Sequence, residues 1–251
     1  MKKRLIEIDF IKGIAVIAMV IFHYFYLATQ MKVKSYPIDG GILKGLANFA
    51  HNTFIIISGL NLGISIQNKE FKKYFPNKLK RGIELIIYGL IISLATKLEF
   101  GDSYVKFGIY HFMGVALIIA SILGKNKLLS VNIGILILVA SIFLKKTNST
   151  IYKKCLSMPL TCFISGIMNV KYNSLDHFSL IPYLGYYLIG VGISNFLYKT
   201  DENGKSRKFK FLDIIDKYQD TKIVKWISYL GKNTLPIYFI HFILFYLHFK
   251  L

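Results

Sequence analysis

Asp9, Lys12 and His23 are the ionisable side chains of an otherwise apolar run that extends from Ile8 to Phe22 and on into His23-Tyr24. In a helix, at about 100° and 1.5 Å per residue, the step from Lys12 to His23 returns to nearly the same face about 16 Å farther along, and Asp9 lies within about 40° of that face. A cation and a base on one stripe can hold an anionic group at one end and handle a proton at the other, because imidazole is the side chain that titrates near neutrality. The packing alternative is an Asp9 to Lys12 ion pair with a hydrogen-bonded histidine, and the spacing admits both.

Two other places carry polar groups in apolar surroundings, where an ionisable side chain is a functional candidate by default and helix packing is the alternative. His51, Asn52 and Thr53 precede Phe54-Ile55-Ile56-Ile57-Ser58-Gly59. Ser58-Gly59 permits close helix approach, and His51, near the middle of its run, needs a partner or a wet cavity. His111 stands in Lys106-Phe107-Gly108-Ile109-Tyr110-His111-Phe112-Met113-Gly114, and Asp176-His177 precede Phe178-Ser179-Leu180-Ile181-Pro182-Tyr183. If the helices pack as a bundle, His23, His111 and Asp176 can converge on one outward-facing acid/base site. Asp176 also stands four positions before Leu180, where a carboxylate commonly caps the helix that follows.

These side chains need elements to hold them. With 54% hydrophobic residues in 251 positions, the chain is more apolar than one soluble core requires, so lipid is the expected solvent. The candidate spans are Phe10 to Ala28, Leu43 to Ile66, Ile83 to Ala95, Phe107 to Leu123, Leu128 to Leu144, Leu180 to Tyr198 and Leu235 to Phe249. They are continuous rather than alternating, which argues for helices and against a barrel. Several are shorter than the ~20 residues a bilayer needs, so their flanks must contribute. Leu156 to Val170, with Pro159 and Gly166, reads as re-entrant or interfacial and makes an eighth span if it crosses. The expectation is a single-domain, all-α, multi-pass bundle of about seven spans over residues 1–251 in the cell membrane, with Lys199 to Lys225 as a polar connecting loop.

The 32 Lys and Arg against 13 Asp and Glu give a net charge of +19. In a soluble protein that excess suggests nucleic acid. Here the charges lie between apolar runs, so membrane lipid headgroups are the expected counterions and no nucleic-acid partner is called for. The amino end, Gln67 to Arg81, Gly124 to Leu129 and Lys199 to Lys225 are the richest in Lys and Arg, which puts them and the amino terminus in the cytoplasm and Leu251 outside. Lys145, Lys146, Lys153, Lys154 and Lys171 then fall in an outer loop, as does the triplet Asn148-Ser149-Thr150. The apolar run after Met1-Lys2-Lys3-Arg4 is too long for a cleavable signal and reads as a retained span. Cys155 and Cys162 would stand about 10 Å apart on a helix, so a disulfide between them requires a non-helical segment.

In order along the chain, Glu7-Ile8-Asp9-Phe10-Ile11-Lys12-Gly13-Ile14-Ala15 with His23 and Thr53 through Gly59 resemble the heparan-alpha-glucosaminide N-acetyltransferase catalytic-domain family, its small prokaryotic members above all. Lys80-Arg81-Gly82, Phe107 through Gly114, and Asp176 through Pro182 to Gly185, Leu188 and Gly190 extend the resemblance. Leu230-Gly231-Lys232-Asn233-Thr234-Leu235-Pro236-Ile237-Tyr238 with His241 is similar to the last helix of related membrane acyltransferases.

The resemblance implies transfer of an acyl group, typically acetyl from acetyl-CoA on the cytoplasmic side, to a sugar or cell-envelope glycan on the other. In that setting Lys12, Lys80 and Arg81 would meet the CoA phosphates, with Ser58 also assigned to donor binding. His23 would serve as base or transient acyl carrier, with Asp9, His111 and Asp176 as its catalytic companions. No metal is called for, and a homodimer is compatible with the sequence. Two departures stand out. Lys12 occupies a position where these families usually carry Arg, replacing a bidentate fork by a point charge. Thr29 to Ala50 lacks the histidine that the animal lysosomal enzymes place between the first two spans. The competing reading is a small transporter whose His, Asp and Lys residues line a proton or substrate path, against which stands the lack of an internal repeat. A non-catalytic scaffold is the third.

Overall fold

The computed structural model describes residues 5–144, 159–165, 174–201, 204–207 and 214–251. Its helices are α1 (Ile6–Gln30), α2 (Gly41–Ile66), α3 (Phe71–Phe100), α4 (Ile109–Leu123), α5 (Lys127–Leu144), α6 (Pro159–Ser165), α7 (Leu180–Leu197), α8 (Ile214–Lys217), α9 (Lys222–Lys232) and α10 (Thr234–Lys250). Two short strands, β1 (Tyr198–Asp201) and β2 (Gly204–Arg207), lie in the polar connection that follows α7. Among the described residues the remaining regular structure is helical, as the continuous apolar runs require, with one 3-10 turn at Gly101–Ser103. Asn148-Ser149-Thr150, Cys155, the outer-loop lysines and most of Leu156 to Val170 lie outside the described residues. Cys162, in α6, is disulfide-bonded.

Each of the seven expected spans corresponds to one helix. Four of them, α1, α2, α5 and α7, are long and apolar enough to cross a membrane, while α4 and α10 are apolar but shorter. The third differs from its sequence outline. Gln67 to Arg81 reads as a basic loop ahead of a short span, yet the helix starts at Phe71 and runs for 30 residues, with Pro76 inside it. At 1.5 Å per residue that is about 45 Å, which makes up the shortfall of Ile83 to Ala95. Lysine stems can lie along apolar surface while their ammonium groups stay wet, so a basic first half does not stop the helix. The end of the expected polar loop is likewise helical: Thr221 caps α9, its hydroxyl accepting the Val224 N–H at 3.4 Å.

The chain forms two compact units, residues 1–57 with 201–251, and residues 58–200. In the first, α9 runs antiparallel across the start of α1. A Cβ built on Gly13 would overlap the Ile227 carbonyl, and one built on Gly231 would overlap the Asp9 carbonyl. These two backbones therefore touch, and only glycine permits it. α10 then follows α1 in the same direction, with Tyr238 and His241 beside His23, and Phe245 and Phe249 beside Tyr24.

The second unit uses the same device. Gly59 and Gly63, spaced as a small-xxx-small pair, lie against the backbone of α7 at Tyr187 and Val191. Cβ atoms on Gly134 of α5 and Gly185 of α7 would each stand 2.9 Å from the other residue's carbonyl oxygen. Gly82 and Gly114 meet where α3 packs on α4. Tyr74 anchors the foot of α3 by donating its hydroxyl to the Ser121 carbonyl at 3.0 Å.

Gly231→Val is expected to destabilise the detergent-solubilised protein by about 2–3 kcal/mol, the cost of overpacking against backbone. Gly45→Ala in α2, where a Cβ meets nothing within 4 Å, should instead gain about 0.5–1 kcal/mol from helix propensity. Thermal unfolding of the two variants beside wild type checks both signs.

Candidate functional site

The polar centre of the first unit is a histidine pair. His23 Nδ1 lies 2.9 Å from His241 Nε2, the rings 3° from parallel with centroids 5.1 Å apart. His241 Nδ1 lies 2.6 Å from the Ile237 carbonyl oxygen, one turn earlier in α10. A carbonyl can only accept, so His241 carries its proton on Nδ1. With both rings neutral, His241 Nε2 is then an acceptor, His23 Nδ1 donates to it, and His23 Nε2 is left with its lone pair. Backbone geometry in α10 thus sets the tautomer of a side chain in α1.

Aromatic rings enclose the pair. Phe242 stands 4.6 Å from His23 and 4.8 Å from His241 between centroids, Tyr238 meets both rings edge-on, and Phe245 meets His241. His241 is buried and His23 half-buried. Such a collar strengthens each hydrogen bond inside it by excluding water. Sequence reasoning placed His241 in a family-like segment without giving it a role. Its partner lies 218 positions away, and no local spacing announces that pairing.

In the second unit, Asp176 and His111 come together around the start of α4. Asp176 Oδ2 accepts the Ile109 N–H at 3.1 Å, and a Cβ on Gly108 would stand 2.7 Å from that oxygen. The carboxylate therefore caps α4 across 67 positions of sequence, and not α7, the helix that follows it. α7 has Ser179 at its amino end instead, with no side-chain cap bond. The two segments are laced together: Phe178 N–H donates to the Phe107 carbonyl at 2.9 Å, Leu175 N–H to Ser103 at 2.8 Å, and Ser174 Oγ to the carbonyls of Tyr104 and Asp176. His177 Nε2 bonds the Phe163 carbonyl at 2.8 Å and its ring stacks on Phe163 at 3.7 Å. Burial lowers His177 from its ordinary value, against that carbonyl bond. Burial raises Asp176 to about 6, while the backbone N–H groups of Ile109 and His177 pull it down. Part of its surface stays open, but protein surrounds the carboxylate on its other sides.

His111 lies one helical turn inside α4, buried, its ring against Gly89 of α3 and Phe107. Its Nδ1 is buried without a hydrogen-bond partner. The same is true of Asn52 Oδ1 in α2, a polar atom inside an apolar run. Such orphans are costly, and each marks a place where a ligand atom or water would be stabilising.

The remaining candidates are distributed as follows. Asp9 is buried near the amino end of α1, Lys12 is half-buried one turn on, and Ser58 and His51 are half-buried in α2. Ser58 adjoins Gly59, which packs on Tyr187. Lys80 and Arg81 are exposed on α3, and Arg81 pairs with Glu84 one turn later at 2.9 Å. His23, Asp9 and Lys12 belong to the first unit, while His111, Asp176, Ser58, Lys80 and Arg81 belong to the second. Among the described residues no group of three or more His, Cys, Asp or Glu side chains gathers as a metal site would.

The described chain is thus an assembly of helices, four of them long and apolar enough to cross a membrane, that carries a backbone-anchored histidine pair. The model of the family described as heparan-alpha-glucosaminide N-acetyltransferase, catalytic, matches residues 4–243. The chain belongs to that family, as the ordered motifs from Glu7 to His241 anticipate. No curated protein and no solved structure matches it.

Asp176→Asn retains an oxygen for the Ile109 N–H but cannot ionise. Because the folded pKa, about 6, lies above the ordinary 3.8, ionisation favours the unfolded chain. Wild type should therefore lose stability relative to Asp176→Asn as pH rises from about 4 through about 6, and hold a constant deficit above about 7. Thermal unfolding across that range would give parallel curves if the carboxylate were not buried. Asp176→Ala, which also removes the cap, should cost about 1 kcal/mol more than the Asn variant.

Proposed function

We propose that this protein is a multi-pass membrane acetyltransferase that moves an acetyl group from acetyl-CoA to a sugar or cell-envelope glycan, with His23 Nε2 as the reacting nitrogen. The observation that carries this reading is the ordering of His23 by His241 and Ile237, which leaves one imidazole lone pair free within a family of N-acetyltransferase catalytic domains. In the direct route, the acceptor hydroxyl or amine attacks the thioester carbonyl while His23 Nε2 takes its proton. Collapse of the tetrahedral adduct expels the CoA thiolate, which recovers a proton from the His23 imidazolium. In the relay route His23 Nε2 attacks the thioester carbonyl and the C–S bond breaks, the CoA thiolate taking up the proton given up by His23 Nδ1; the acceptor then attacks the acetyl-imidazole, and its proton returns to the ring as the C–N bond breaks.

In this reading α1, α2, α3, α4, α5, α7 and α10 all cross the bilayer, with the amino terminus in the cytoplasm, as the basic segments favour. The disulfide at Cys162 supports it, since disulfides persist on the oxidising side, where this topology puts α6. Lys12 is the cation nearest to His23 along α1 and is assigned to the CoA phosphates, with Lys80, Arg81 and Ser58 as further donor contacts. Asp9 steadies the stripe. His111 and Asp176, with an orphaned ring nitrogen and a raised carboxyl, are assigned to the acceptor side.

Acetyl-CoA at about 100 times its Kd should stabilise the purified protein by about 2.7 kcal/mol. Lys12→Ala should blunt that shift. His23→Gln should keep it yet lose about 10²–10⁴-fold in transfer. Incubation with labelled acetyl-CoA and no acceptor separates the routes: label retained on wild type and absent from His23→Gln selects the relay. A well-folded wild type that saturating acetyl-CoA leaves unchanged would remove the enzyme and favour the transporter.

His241→Gln tests the ordering of the pair. It should leave acetyl-CoA stabilisation intact and lower transfer about 10–100-fold, a loss confined to the proton-transfer contribution. A His241→Gln variant as active as wild type sinks the role given to His241.

A further inference from the structure

Apart from Ile227, which lies against Gly13 of α1, the residues of α9 divide around its axis into three sectors. At about 100° per residue, Gly231, Val224 and Ser228 fall within about 60° of one another, and all three are buried. Gly231 is the residue in backbone contact with Asp9 of α1. Trp226, Leu230 and Ile223 occupy a second sector of about 60°. Ile223 is 70% and Trp226 59% exposed, large apolar side chains facing outward. Lys232, Lys225 and Lys222 fill the third, with Tyr229 among them, and all are exposed. Lys225 also meets the exposed Asp220 at 3.1 Å. The three sectors face about 120° apart: one to the protein, one apolar, one basic.

Water does not suit the apolar sector, and α1 already occupies another side of the helix. A bilayer interface supplies both of the surfaces that remain, acyl chains for Ile223, Trp226 and Leu230 and anionic headgroups for the lysines. α9 is joined through Asn233 to the apolar helix α10, so it is tethered at such an interface. We propose that α9 is an interfacial helix that lies in the membrane surface and binds anionic phospholipid headgroups through Lys222, Lys225 and Lys232. It is joined directly to the helix that carries His241 and is in contact with the one that carries His23. The proposal does not depend on acetyl transfer.

Trp226 is the chain's one tryptophan, so intrinsic tryptophan fluorescence reports on this helix alone. The full-length protein is placed in phosphatidylcholine nanodiscs that contain an equal fraction of either phosphatidylglycerol or phosphatidylcholine brominated near the top of its acyl chains. Trp226 should be shielded from aqueous acrylamide and quenched by both brominated lipids, several-fold more by the anionic one, since each lysine near a charged surface contributes up to roughly fivefold. In the triple variant K222Q/K225Q/K232Q the ratio should fall towards one, and the matching Lys→Arg variant should restore it. Equal quenching by the two lipids in wild type overturns headgroup binding. Free access of acrylamide without lipid quenching overturns the interfacial placement. Shielding from both acrylamide and lipid means that protein, such as a second copy of the chain, covers this face, and also overturns the proposal.

Discussion

Lipid tails are as apolar as leucine, so two helices in a bilayer gain little by hiding leucine from their surroundings. What remains is close contact, and close contact needs the side chain removed. Gly13 and Gly231 in the first unit, and Gly59, Gly63, Gly82, Gly114, Gly134 and Gly185 in the second, supply that condition at the helix contacts described. The position of His23 follows from it. α1 is held at Gly13 by α9, α9 turns at Asn233 into α10, and α10 brings His241 to within 2.9 Å of His23. A side chain in place of hydrogen at Gly13 or Gly231 would force apart the helices that present the pair.

The helices that are apolar from end to end were legible because their runs are unbroken. α1, α2, α4, α5, α7 and α10 each fall within a few residues of their sequence outlines. Two elements were not so plain, both because charge masks helix. α3 begins among Lys72, Lys73 and Lys78, which look like a loop until the lysine stems are allowed to lie along the helix. α9 hides in the tail of a polar stretch. Its apolar residues recur every three or four positions after a Thr221 cap, a pattern of amphipathic helix rather than of span.

The candidate site was legible by residue type but not by partnership. His23, His111 and Asp176 are conspicuous as ionisable groups in apolar sequence, and each sits at a contact of consequence. Their partners, however, are chosen by tertiary packing over separations that spacing does not encode. Asp176 illustrates this: its nearest helix in sequence is α7, but the free N–H it satisfies is at Ile109. Orphaned N–H groups at a helix start donate to whichever carboxylate the fold delivers.

In the proposed reaction His23 is a base oriented by a carbonyl rather than by a carboxylate, and that has a distinct electrostatic consequence. A buried carboxylate would bring its own desolvation penalty into the bilayer and would need a permanent counter-charge. The Ile237 carbonyl is already present in α10 and brings none. It fixes His241 Nδ1–H, and through it His23, and adds no charge of its own. When His23 Nε2 gains a proton, the proton on its Nδ1 can pass to His241 Nε2, moving the positive charge to a ring whose remaining N–H points at the carbonyl dipole. The ring centroids of Tyr238, Phe242 and Phe245 lie 5.7, 4.8 and 5.6 Å from the His241 ring, within the ~6 Å over which an aromatic face attracts a cation. On that proposal, two imidazoles and one helix carbonyl give the proton somewhere to go without a carboxylate beside them.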